Sequence, residues 1–235
     1  MMIGQERKAM NLWAMLSVTI VCWGAFSDPA AAQDHQHHQR PNDIAQYLEH
    51  LDSQERDRSQ KPAEVVEALA LKPGLTVADL GSGSGYFTRR FIEAVTETGK
   101  VYAVDVEPEI LKYTEESIVH MHRPYTAEFI LARSDSPKLP YESIDLLFVC
   151  NTYQHLDERA KYFSDTKSSL KPGGRLAIID FYHDERSGEL SFPKQHLVPR
   201  ETVIAELTEA GYRLVREHTF LPRQYFLEFL PIAAP

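Results

Sequence analysis

Cysteine is almost missing from this chain. Of its two cysteines, Cys22 falls in a leader-like N-terminal segment, so removal of that segment leaves Cys150 alone. A lone thiol excludes an intrachain disulfide and a Cys-rich zinc site, and no metal is expected. Basic blocks are missing too. The 25 Lys and Arg stand against 34 Asp and Glu, a formal charge of −9, which excludes the basic face that a duplex nucleic-acid binder needs. No apolar run reaches the ~20 residues usual for a membrane-spanning helix. The nearest approach, NLWAMLSVTIVCWGAF (Asn11 to Phe26), follows Arg7 and Lys8 and precedes small residues at Ala30 and Ala32. This is the layout of a secretory signal, residues 1–32, cleaved after Ala32; an uncleaved anchor built on residues 12–26 is the alternative. In either case the body faces away from the cytoplasm. The expected location is periplasmic or otherwise extracytoplasmic, without stable membrane insertion once the signal is cut.

What is present is the material of one α/β domain, expected over residues 55–235. Residues 33–54 precede it and include DHQHHQR, where three histidines stand in a stretch with no apolar periodicity, the mark of a solvated tail leading to a linker or helix. Beyond it, strand-like and helix-like stretches alternate. LTVADL (Leu75 to Leu80), KVYAVDV (Lys100 to Val106), AEFILA (Ala127 to Ala132), IDLLFVC (Ile144 to Cys150) and GRLAIIDF (Gly174 to Phe181) have the length and apolar content of buried strands. Between them YFTRRFIEAV, EPEILKYTEESIVHM and DERAKYFSDTKSSL read as helices, the last beginning with Asp157 as N-cap. Such alternation predicts a parallel sheet covered by helices on both faces. After a helix over Pro199 to Gly211, YRLVREHTF and RQYFLEFL are separated by only a few residues. A connection that short predicts an antiparallel hairpin, because a parallel crossover needs about a dozen residues or more.

The stretch VADLGSGSGYFTRRF (Val77 to Phe91) carries the chemistry. Asp79 ends the first strand, and Gly81, Gly83 and Gly85 make the turn into the next helix, where missing side chains let backbone N–H groups approach a ligand. A phosphate-binding loop would end in Gly-Lys-Ser/Thr and a dinucleotide loop would space its glycines G-x-G-x-x-G; D-x-G-x-G-x-G is neither. Asp105 ends the second strand twenty residues after Gly85, where a carboxylate can accept both hydroxyls of a ribose.

These residues resemble the first two motifs of the class I S-adenosylmethionine-dependent methyltransferases, and LKPGGRLAIID (Leu170 to Asp180) resembles the turn and fifth strand of the same superfamily. The resemblance implies a Rossmann-like doubly wound α/β fold: a seven-stranded sheet of order 3-2-1-4-5-7-6 with strand 7 antiparallel. It also implies S-adenosyl-L-methionine as cofactor. A narrower resemblance, to a bacterial group of exported methyltransferase-like proteins, rests on ERDRSQKP, NTYQHLDE, HLVPRE and LPRQYFLEF. The chain departs from that group at Asn151, where Asp is usual, and at Gln154, where His is usual.

The resemblance implies roles by position. Backbone at Gly81 and Gly83, with Gly85 closing the loop, should meet the methionine part; Asp79 should orient its ammonium and Asp105 the ribose. Val106 should pack on the adenine, Asp135 should accept from its amino group or else serve as a turn former, and Asn151 should reach the cofactor or else cap a turn. Arg56, Gln60 and Lys61 are candidates for the cofactor carboxylate, or members of a charged surface helix. Tyr153 and His155 are the catalytic candidates, since the loop after the fourth strand faces the transferred methyl and His takes protons near neutral pH; a structural His at a helix entry would read the same. His196 and Tyr225 are candidates for the acceptor side, or for packing beneath a C-terminal lid. Three functions follow: a methyltransferase acting on a small-molecule acceptor, one acting on an exported protein, or a non-catalytic binding module. The first is favoured, because the chain has neither an extra domain nor a basic surface.

Overall fold

The computed structural model describes residues 43–121, 126–190 and 193–232. The N-terminal segment read as a secretory signal and the His-rich stretch lie outside them. The first described elements are helices α1 (Ile44–Leu51), α2 (Gln54–Gln60) and α3 (Pro62–Ala68). Asp43 caps α1 by accepting from the Gln46 N–H at 3.0 Å, and Pro62 opens α3, where a missing N–H costs nothing. Because α1 packs on the glycine loop, as shown below, the domain starts earlier than residue 55.

Strands β1 (Thr76–Leu80), β2 (Lys100–Asp105), β3 (Ala127–Leu131), β4 (Ile144–Cys150), β5 (Leu170–Phe181), β6 (Tyr212–His218) and β7 (Gln224–Pro231) form one sheet of order β3-β2-β1-β4-β5-β7-β6. All neighbours are parallel except β7, which runs antiparallel to both β5 and β6. The expected order and the reversed strand are both present. Helices α4 (Tyr86–Val95), α5 (Pro108–Val119), α6 (Arg159–Thr166) and α7 (Arg200–Glu209) complete the layers.

Side chains alternate across the sheet with the strand period of two. Leu147, Val149, Leu176, Ile178, Tyr225 and Leu227 enter one core. Leu146, Phe148, Ala177, Ile179 and Phe226 enter the other, where Phe87 and Phe91 of α4 meet Phe148 edge-on at 4.8 and 4.9 Å. Strands buried on both faces explain why these runs read as continuous apolar stretches.

Two boundaries differ from expectation. β5 begins at Leu170, not Gly174: the KPGG stretch stays in the sheet through a register irregularity, with Ile144 opposite Leu170 and Leu146 opposite Arg175. Asp157 is no helix cap. The N-cap position of α6 is Glu158, left-handed at φ 42° and without a side-chain cap bond.

Candidate active site

The carboxyl ends of β1, β2, β4 and β5 converge, and each contributes polar residues. Gly81, Gly83 and Gly85 all take positive φ, 73°, 55° and 79°. The alternation of glycine with serine therefore answers a backbone requirement, since a left-handed residue costs an L side chain about 1–2 kcal/mol. The N–H groups of Gly81 and Ser82 both donate to the Val104 carbonyl, at 2.8 and 3.0 Å, which locks the loop against β2.

Asp105 is buried at the end of β2. Its Oδ2 accepts from the Gly83 N–H at 3.0 Å and its Oδ1 from the Glu107 N–H at 3.1 Å. Asp79 is buried too, and its Oδ2 accepts from the Thr88 hydroxyl at 2.6 Å. Burial pushes the Asp79 carboxyl up to about 6; the Thr88 hydrogen bond and the positive charge of Arg56 oppose that rise without cancelling it.

Helices α1 and α2 cover this loop. Leu51 lies 3.0 Å from where a Cβ on Gly83 would stand. Asp52 Oδ1 accepts from Ser84 Oγ at 2.7 Å and from Arg89 Nη2 at 2.8 Å, tying the end of α1 to the loop and to α4. Arg56 stacks its guanidinium 3.9 Å above the Tyr86 ring, donates from Nη1 to the Leu51 carbonyl at 2.7 Å and from Nε to Gln60 Oε1 at 2.6 Å. Gln60, itself buried, donates to Cys150 Sγ at 2.7 Å. Burial pushes the Cys150 thiol up to about 12, so it stays a thiol and is no nucleophile. Of the three residues expected near the cofactor carboxylate, Arg56 and Gln60 are at the loop; Lys61 instead pairs with Glu64 at 3.4 Å.

The donor set suits a zwitterionic amino acid joined to a ribose. A guanidinium is available for a carboxylate, Asp79 for an ammonium and Asp105 for a diol, around a loop stripped of side chains. Val106 is half-buried beside them and packs on the core.

Other expected residues are placed differently. Asp135 is exposed, and both its oxygens are held by Arg133, at 2.9 and 3.1 Å, within the same loop. Asn151, left-handed at φ 55°, accepts from Gln224 Nε2 at 2.5 Å and donates its N–H to the Ile179 carbonyl at 2.9 Å, strapping β4 to β5 and β7. Tyr153, taken as catalytic, is wholly buried, and its hydroxyl donates to Glu206 Oε2 at 2.7 Å. Burial first, then the Glu206 carboxylate, raise its phenol far above neutral pH, so it cannot exchange a proton with an acceptor. Tyr225 is likewise buried, its hydroxyl donating to the Val198 carbonyl at 3.2 Å, and it pins the chain ahead of α7 rather than facing an acceptor. His155 is exposed, beside Gln154 in the 3-10 turn Tyr153–His155, and His196 is exposed in the turn Lys194–His196.

The Tyr153 correction is testable. Burial alone would raise the Glu206 carboxyl, but hydrogen bonds from Arg159 and Tyr153 outweigh it and hold Glu206 below its usual range. Tyr153→Phe removes a hydrogen bond to a charged group and should cost about 1.5–3 kcal/mol in urea unfolding; a loss under 0.5 kcal/mol would return the hydroxyl to the list of candidates.

Sequence reasoning missed Asp180, which closes β5 wholly buried. The signal was in the strands: VADL, YAVDV and AIIDF each end an apolar run on an aspartate. It also missed Asp52 and Thr88, whose partners lie 32 or 37 and 9 residues away.

A family model described as a methyltransferase domain matches residues 77–174, from β1 into β5. Among curated proteins, the chain is 26% identical over 155 residues to the ubiquinone/menaquinone biosynthesis C-methyltransferase UbiE of Salmonella arizonae, covering 65% of this chain and 62% of that protein. It is 28% identical over a stretch of the same length to its counterpart from Escherichia fergusonii. The chain thus spans 62% of the length of these relatives. Among solved structures it is similar to an S-adenosylmethionine-dependent methyltransferase from Aquifex aeolicus, at 28% identity and a TM-score of 0.75, over 82% of this chain and 100% of that one. The strand order, the reversed β7 and the glycine loop are shared with the S-adenosylmethionine-dependent methyltransferase fold to which these matches show the chain to be similar.

Proposed function

We propose that this chain transfers a methyl group from S-adenosylmethionine to a small organic acceptor that enters over the carboxyl ends of β4 and β5. The observation that carries the reading is the meeting of Asp79, Asp105 and Arg56 on the Gly81–Gly85 loop. Bound there, S-adenosylmethionine supplies a methyl carbon made electrophilic by its sulfonium. The chain's own part is alignment: Asp105 fixes the sugar, Asp79 and Arg56 fix the two charges of the amino acid, and α1 with α2 shuts the loop from water. Alignment of this kind supplies much of the rate of a two-reactant displacement. The relatives named as quinone-biosynthesis C-methyltransferases favour a hydroxylated aromatic acceptor, in which the hydroxyl makes oxygen or a ring carbon nucleophilic.

Calorimetry tests the cofactor half of this reading. Asp105→Ala should weaken S-adenosylmethionine by about 1.5–3 kcal/mol, the scale of hydrogen bonds to a charged group. Unchanged affinity in a folded variant would mean that the ribose lies elsewhere. Methyl-labelled cofactor, offered with pooled small-molecule and protein fractions, tests the acceptor half: label in a protein fraction alone would replace the small-molecule reading.

A further inference from the structure

Asp180 is a buried carboxyl at the end of β5, where the acceptor is proposed to enter, and it has no counter-ion among the described residues. Its Oδ1 accepts from the Phe181 N–H at 2.8 Å, and the backbone N–H of Gln154 also donates to the carboxyl. Among the described residues, neither its buried Oδ2 nor the buried Oε1 of Gln154 has a hydrogen-bond partner. An unsatisfied buried oxygen costs free energy, so two of them on neighbouring residues call for an explanation. Gln154 is half-buried and His155 next to it is exposed. The short turn after β4 therefore stands between Asp180 and the surface. The β4 end is also the wall of the cofactor loop, since Thr152 lies against Gly81.

We propose that Asp180 and Gln154 form the acceptor seat: Oδ2 and Oε1 receive hydrogen bonds from the hydroxyl groups of the acceptor, and Asp180 takes a hydroxyl proton as the methyl group is transferred. The proposal rests on the methyltransferase reading above and deepens it. The step balances. The acceptor's O–H bond breaks and its proton goes to Oδ2. The freed electron pair, on oxygen or delivered through a ring carbon, bonds the methyl carbon as the S–CH3 bond breaks and its pair returns to sulfur. A ring carbon so methylated then loses its own proton while the oxygen is reprotonated, and Asp180 passes one proton to solvent per turnover.

The surroundings suit a proton acceptor. Burial pushes the Asp180 carboxyl up to about 7, against the opposing hydrogen bonds of Phe181 and Gln154. A base poised near ambient pH is the most effective. The ionisable groups facing it are Tyr225 on β7 and Cys150 on β4, and burial keeps both neutral. The Tyr153, Arg159 and Glu206 cluster, which neighbours Tyr225, is paired within itself.

The test uses the full chain with hydroquinone as probe. With S-adenosylhomocysteine bound, carbon-13 NMR should show the Asp180 carboxyl resonance moving on hydroquinone addition. Gln154→Leu and Asp180→Asn should each weaken hydroquinone by roughly tenfold, the loss of about one hydrogen bond, with cofactor affinity changed less than twofold. With methyl-labelled cofactor, transfer to hydroquinone should rise with pH through about 7 in the wild type and fall by roughly 10²-fold in Asp180→Asn. Equal transfer by wild type and variant would overturn the role of Asp180 and leave the methyltransferase reading intact. No transfer to hydroquinone by the wild type, with the Asp180 resonance unmoved, would overturn the acceptor class and the proposal with it. The resonance is read on the wild type, so the proposal stays testable even if Asp180→Asn fails to fold.

Discussion

Gly81→Ala should destabilise the fold by about 2–5 kcal/mol and abolish measurable binding of S-adenosylmethionine. Two costs add. At φ 73° an alanine sits in the left-handed region, worth about 1–2 kcal/mol. The new Cβ would also stand 2.5 Å from Cγ2 and 2.8 Å from Cβ of Thr152, and would collide with its hydroxyl oxygen. Thr152 cannot simply swing aside, because its own Cβ is among the atoms struck and its hydroxyl donates to the Cys150 carbonyl at 3.1 Å. The loops after β1 and β4 must therefore part, and with them the two walls of the proposed cofactor seat. Overpacking of a tight contact typically costs about 1–3 kcal/mol. The double variant Gly81→Ala/Thr152→Ala should recover part of the loss, because the backbone cost and the close Cβ contact remain. Urea unfolding measures both; a single variant within 1 kcal/mol of wild type would show that the loop accepts a side chain there.

The contrast between Gly81 and Gly174 shows what a sequence reveals about glycine. Gly81 stands out because it recurs with Gly83 and Gly85 at every second position behind an acidic strand end. Gly174 belongs to a KPGG run that reads as a chain break, yet it lies inside β5, where a Cβ would stand 2.7 Å from the Ile144 carbonyl. The strand order was legible because each apolar run is short and bounded by turn residues, and because so short a link before RQYFLEFL excludes a parallel crossover. The glycine loop was legible because its signal is local in sequence.

The surroundings of the β4 and β5 ends were not legible, because they depend on contacts distant in the chain. Tyr153 looked reactive, being an aromatic hydroxyl in the loop after β4. Its hydroxyl is taken by Glu206, 53 residues away, and its ring stacks on Phe163 at 5.3 Å. Tyr225 is spoken for by a carbonyl 27 residues back. Both assignments followed residue type, and burial reversed them: a phenol with its hydrogen bond already made inside the core is a packing element. Asp180 was passed over for the opposite reason. An aspartate closing an apolar strand has no local trait that separates it from an exposed one, and only the packing of β4, β7 and the Gln154 turn around it leaves an oxygen unpaired.

That packing predicts how stability should change with pH. Asp180 ionises near its ordinary carboxyl value when the chain is unfolded but only at about 7 when folded, because burial disfavours the charge. Between those two values the folded state binds the proton that the unfolded state has released. The linkage slope is then negative, and stability is lost as pH rises through that window, levelling off above about 7. Asp79, raised to about 6, acts in the same direction over a narrower range. At 1.36 kcal/mol per pH unit, Asp180 alone should remove about 2–3 kcal/mol between pH 5 and pH 8. Asp180→Asn retains an oxygen for the Phe181 and Gln154 N–H groups and places an amide donor where Oδ2 stood without a partner. Its advantage over wild type should therefore grow by about 2–3 kcal/mol across the same range, since the other titrating groups are common to both proteins. Urea unfolding of the pair at pH 5, 6, 7 and 8 measures this difference directly. A gap that stays constant within 0.5 kcal/mol would show that the carboxyl ionises in the folded chain as easily as in the unfolded one. A gap that widens would show a stability cost carried at neutral pH by one unpaired oxygen, and hydroquinone seated against Asp180 should narrow it by supplying the missing hydrogen bond.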